Sequence, residues 1–105
     1  MNNTLEITST DIVLDAMPGD DYLALDATEM ARLMRDEGLP PGALLGAALE
    51  RCAQVNGEVN AVVLEHADHA VERLLARVED GTARQGVLAG VPMLLKDLNT
   101  YLAGT

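Results

Sequence analysis

Leu88-Ala89-Gly90-Val91-Pro92-Met93-Leu94-Leu95-Lys96-Asp97 decides how this chain is read. It holds the only lysine of the sequence; every other basic residue that carries a full charge is an arginine. An apolar run of this length, opened by Gly-Val-Pro, predicts a short strand buried on both faces. Pro92 fits only near the start of such a strand or on an edge. Lys96 then falls at or just past the strand's carboxyl end, where open α/β sheets place their sites. Apolar surroundings disfavour an ammonium, so a lysine placed there can act as a neutral base. The plainer alternative is a lysine that snorkels from the strand end to solvent or to an acid. Asp97 is next in sequence, but neighbours on an extended strand point to opposite faces, so it is not automatically the partner of Lys96.

Working outward towards the amino terminus, Gly86-Val87-Leu88-Ala89-Gly90 leads into this strand and residues 81–85 form a polar connector. Before it, Ala67, Ala70, Val71, Leu74 and Val78 recur at helical spacing, which predicts a helix over about residues 65–79 closed by Gly81. Glu65, Asp68, Glu72 and Arg73 fall on its solvent side and suit weak i,i+4 pairs. His66 and His69 are three apart, but a metal site needs further converging ligands, so they read as surface histidines and no metal is expected. Residues 59–64, rich in Val, predict a second short strand.

Pro41 suits the first turn of a further helix. Its apolar face is Leu44, Leu45, Ala48, Cys52 and Val55, and Asn56-Gly57 is expected to end it. Cys52 therefore reads as a small inward-facing hydrophobe; nothing basic adjoins it in sequence to make a nucleophile. The first helix opens at Asp26, with Glu29 completing a capping box and Leu25 and Met30 a hydrophobic staple. Met30, Leu33 and Met34 form its buried stripe, and Gly38 stops it. Residues 1–21 read as an arm, with an apolar Ile12-Val13-Leu14 and turn chemistry at Met17-Pro18-Gly19-Asp20-Asp21. Beyond Lys96, Asp97-Leu98-Asn99-Thr100 suits a turn or a helical turn. The expectation is α/β: about three helices and two short strands.

Composition narrows the function classes. The net charge is -10, with 17 acidic against 7 basic residues, which argues against nucleic acid and anionic membrane as partners. No apolar run approaches membrane length. Met1-Asn2-Asn3-Thr4-Leu5-Glu6 lacks the basic and apolar regions of a signal peptide. Cys52, alone, fits a reducing compartment, so a cytoplasmic location is expected. There is no Phe or Trp, and the core must come from Leu, Val, Ala and Met. That is thin cover for a strand apolar on both faces. No internal repeat, phosphate-binding Gly loop or zinc-ligand pattern is present.

Three stretches carry a resemblance. Gly90-Val91-Pro92-Met93-Leu94-Leu95-Lys96-Asp97 resembles the Gly-Val-Pro-(three apolar)-Lys-Asp segment of the amidase signature family. Leu25-Asp26-Ala27-Thr28-Glu29-Met30-Ala31 resembles that family's first helix, and Val59-Asn60-Ala61-Val62-Val63 its first inner strand. The resemblance spans roughly residues 22–105. It implies the amino-terminal part of an amidase domain, a mixed sheet covered by helices, cut before the catalytic serines. It implies a Ser–cis-Ser–Lys triad that hydrolyses a small carboxylic amide to acid plus ammonia or amine without a cofactor. Lys96 matches the triad lysine, and Asp97 a structural hydrogen-bonding acid. Neither serine is assignable, because the single serine is Ser9 in the arm. Gly104-Thr105 is too short to match the next family segment. The chain alone is therefore expected to be inactive, with a homodimer one arrangement for the full-length enzyme. Two alternatives stand beside this: the amidase subunit of a tRNA-dependent amidotransferase, and a non-catalytic helical interaction module. Asp97-Leu98, where Asp-Asn could stand, together with the acidic balance leans towards a stand-alone hydrolase.

Overall fold

Asp26 opens the first long helix as its side chain predicts: Oδ1 accepts the Glu29 backbone N–H at 2.8 Å. In the computed structural model, which describes residues 16–96 and 102–103, the elements run α1 (Gly19–Leu23), α2 (Ala27–Asp36), α3 (Ala43–Val59) and α4 (Ala67–Glu79). Ser9, Ile12-Val13-Leu14, the tract Asp97-Leu98-Asn99-Thr100 and Gly104-Thr105 lie outside the described residues.

The turn chemistry at residues 17–21 becomes the entry to α1. Tyr22 N–H donates to Pro18 O at 3.0 Å, and Asp20 and Asp21 occupy the first turn, where the helix dipole favours acids. Met17 N–H donates to Ala43 O at 3.2 Å and ties this end of the chain to α3. On α2 the buried residues are Met30, Ala31 and Met34, with Leu33 only half-buried. Gly38 takes φ +69° just past the helix end, the left-handed conformation its lack of a β-carbon permits.

Two helix boundaries differ from the sequence pattern. Asn56-Gly57 does not end α3; the helix continues to Val59 and stops at Asn60, which is left-handed at φ 51° and donates its N–H to Asn56 O at 2.7 Å. The buried residues of α3 are Ala43, Leu44, Gly46 and Ala47, so its small side chains, more than the Ala48–Val55 stripe, meet the core. Cys52 is half-buried rather than enclosed, its thiol 3.8 Å from Glu65 Oε2. Helix α4 begins at Ala67, with Val71 buried and Ala67, Ala70, Leu74 and Val78 half-buried, the face its spacing predicts.

The α/β expectation is overturned. The described residues are helical, with no strand and no sheet. Both expected strands fail for local reasons. Residues 59–64 lose their first member to α3. The Asn56 side chain then takes both backbone groups of Val62: Oδ1 accepts its N–H at 2.9 Å and Nδ2 donates to its C=O at 3.0 Å. Those are the groups a ladder would need. Residues 91–95 leave a turn in which Val91 N–H donates to Leu88 O at 3.2 Å, and they form no ladder with any described residue. Nor is the run buried. Met93 is 76% and Leu94 75% exposed, so the apolar stretch expected inside a sheet lies open on the surface.

The core sits where α2, α3 and the 80–90 connector meet. It consists of Met30, Met34, Leu44 and Ala89, flanked by half-buried Met17, Tyr22, Leu25, Leu39 and Val91. Leu25, the expected staple partner of Met30, packs against the cluster that contains it. Met34 and Leu44 are its largest fully enclosed side chains. In a chain without Phe or Trp, unbranched methionines fill the irregular gaps between elements.

Candidate functional site

Lys96 is approached through the connector, and arginines hold that connector in place. Asp80 starts it: its Oδ1 accepts both the Thr82 backbone N–H, at 3.0 Å, and the Thr82 hydroxyl. These two bonds, the hydroxyl's foremost, hold the Asp80 carboxyl below its ordinary range. From α4, Arg77 Nε donates to Thr82 Oγ1 at 2.7 Å, and its Nη2 donates to Thr82 O at 2.9 Å and Gln85 O at 3.3 Å. Arg84 reaches the other way. Its Nη1 donates to Met34 O at 2.7 Å and Leu39 O at 2.6 Å, and lies 3.5 Å from Met34 Sδ. Met34 O belongs to the last turn of α2, whose carbonyls have no partner within the helix and suit a cation. Arg35 Nη1 adds a longer bond to Gly86 O at 3.4 Å.

Gly90 closes the connector against the core. It stands at φ +74°, and a β-carbon there would lie 2.5 Å from Met34 Cε. The left-handed φ favours glycine, and the close approach to a buried thioether adds to it. Val91 then packs on the core, Pro92 is half-buried, and residues 93–96 emerge into solvent.

Lys96 is exposed at the end of this segment. Among the described residues it has no hydrogen-bond or ion-pair partner and no second chemical group beside it. Asp97 and Ser9 lie outside the described residues. His66 precedes α4 and is exposed; His69 is half-buried on the helix. No group of three or more metal-ligating side chains converges among the described residues. No helix among them is long and apolar enough to cross a membrane.

The arginine ties and the Gly90–Met34 approach have no signature in the sequence, where residues 81–85 read only as a polar connector. Helical spacing reveals which side chains of α4 turn inward. It carries no information on bonds between an arginine and a carbonyl in another element, such as those of Arg84.

Comparison with known proteins adds what the geometry lacks. No family model matches the chain, and no solved structure matches it. Over 76 residues, 70% of its length, it is 40% identical to a glutamyl-tRNA(Gln) amidotransferase subunit of Symbiobacterium thermophilum. The chain spans 16% of the length of that curated relative. The likeness therefore supports the amidase resemblance at a coarse level.

Proposed function

We propose that the chain is part of an amidase-type protein whose whole form breaks a carboxylic amide, with Lys96 as the proton acceptor. The observation that carries this reading is the 40% identity over 76 residues to an amidotransferase subunit. The Gly-Val-Pro-(three apolar)-Lys-Asp stretch at residues 90–97 agrees with it. In the proposed reaction a serine hydroxyl attacks the amide carbonyl, its proton passes through a bridging serine to the Lys96 amine, and the amine returns a proton to the departing nitrogen. Water then hydrolyses the acyl-serine. Both serines belong to other parts of the whole protein, and the 105-residue chain has no activity of its own under this proposal.

The proton acceptor must be an amine that can be neutral. Guanidinium cannot serve, because it stays protonated. In the full-length protein, Lys96→Arg should lower kcat/KM nearly as far as Lys96→Ala, with melting temperatures close to the parent's. If Lys96 were only a surface cation, Arg would replace it with activity near normal, and that result would end the assignment.

The same similarity favours a second reading over a stand-alone hydrolase: one component of an amidotransferase, the class that the relative's name gives. In this reading the ammonia set free is passed to a partner enzyme. The two readings differ in where the ammonia goes. A stand-alone enzyme releases it to bulk solvent, whereas the amidotransferase component shows glutaminase activity that rises when its partners are added.

A further inference from the structure

Away from Lys96 itself, a cleft beside α4 gathers positive charge. It runs between α4 and the connector and is lined by Arg73, Leu74, Arg77, Ala83 and Gly90. Two arginines of a chain with net charge -10 thus share one opening, at positions i and i+4 of the same helix face.

The arginines are not equivalent. Arg32 is taken up by Glu29 and Glu37, Arg35 by Gly86 O, Arg51 by Gln54, Arg84 by Met34 O and Leu39 O. Arg77 spends Nε and Nη2 on Thr82 and Gln85, and those bonds fix its plane at the cleft wall. Its Nη1 makes no hydrogen bond among the described residues. Arg73 alone of the arginines has no partner among them at all, although Glu72 and Asp68 are close in sequence. Nothing acidic lines the cleft. Leu74, Ala83 and Gly90 complete its lining.

We infer that this cleft is a binding site for a small oxyanion, held between the Arg73 guanidinium and the free Nη1 edge of Arg77. A guanidinium presents parallel N–H donors that match a phosphate or carboxylate, and charge-assisted bonds of this kind are the stronger ones. Arg77 is positioned before the ligand arrives, so less side-chain freedom is lost on binding. The cleft is open to solvent, which sets the affinity on the order of millimolar rather than tighter. This inference does not depend on the amidase reading; the two share only Gly90, which lines the cleft and opens the 90–97 stretch.

The test is a titration of the 105-residue chain with inorganic phosphate, and separately with acetate, followed by amide and arginine Nε NMR signals at constant ionic strength with chloride. Saturable shifts centred on Arg73, Arg77, Ala83 and Gly90 are expected. Arg73→Gln should weaken binding at least tenfold with the rest of the spectrum unchanged. Arg51→Gln, which removes a comparably exposed charge from α3, should leave it intact. Phosphate binding with weak acetate binding assigns a phosphate-type ligand, and the reverse assigns a carboxylate. Shifts that never saturate, or that weaken equally in Arg51→Gln, overturn the site.

Discussion

Gly90 and Met34 meet backbone to thioether: a β-carbon at position 90 would stand 2.5 Å from Met34 Cε and 3.3 Å from its Cγ. Met34 is fully enclosed, so its side chain has little room to yield. Gly90→Ala adds the strain of φ +74° to that overlap. The expected loss is roughly 1–3 kcal/mol, at the scale of a left-handed non-glycine residue. Urea unfolding of the two proteins measures it. An unchanged midpoint would mean that the connector moves aside freely.

Arg84 joins the connector to the end of α2. Arg84→Met keeps much of the aliphatic bulk and removes two charge-assisted bonds to Met34 O and Leu39 O. The expected cost is about 2 kcal/mol, within the range for bonds to charged groups. Amide exchange should quicken at the end of α2 and along residues 84–90 and stay as it was in α4. Uniform exchange throughout would contradict an anchoring role.

Acid should loosen the start of the connector. The Asp80 carboxyl is held below its ordinary value by the Thr82 hydroxyl and N–H, and Glu29 below its own chiefly by the Arg32 guanidinium. In each case the unfolded chain binds the proton more readily than the folded one, so stability rises with pH through that window. The contribution is complete above the unfolded carboxylate values and disappears as pH falls through the lowered folded ones. Melting temperature recorded from neutral pH into acid should fall less steeply for Asp80→Asn and Glu29→Gln. Both groups lie at the surface, so added salt should shrink the Glu29 effect.

The open apolar surface should make the 105-residue chain associate. Met93, Leu94, Val63 and Leu64 are each at least 69% exposed, beyond what scattered surface hydrophobes require. Met93→Ser with Leu94→Ser should reduce both binding of an apolar dye and the sedimentation coefficient at high concentration. The parent sedimenting as a dye-free monomer would refute this.

The helices are largely legible in the sequence because their information is local. Asp26 and Glu29 mark a cap within one turn, and the Ala67–Val78 spacing shows which side of α4 is inward. The strands are not legible, because β-structure is a statement about two segments. Residues 91–95 have the composition of a buried strand, but composition names no ladder partner, and none of the described residues provides one. Asn56 shows the same limit at shorter range: a residue with the character of a helix stop instead occupies the backbone of Val62. At the site, Lys96 is legible as a position and not as a constellation. Its chemistry depends on groups from elsewhere, and its solitary charge in an apolar run is the whole of the local signal.

The methionine-built core has a redox consequence. A thioether oxidises to a polar sulfoxide when peroxide can reach it. Met34 is fully enclosed and Met30 9% exposed, whereas Met93 stands 76% open. Mild peroxide should therefore mark Met93 before Met30 or Met34 and leave the folded chain intact. Sulfoxide at Met34 would form only in molecules that have already opened, so the ratio of the two products serves as a clock for the chain's own breathing.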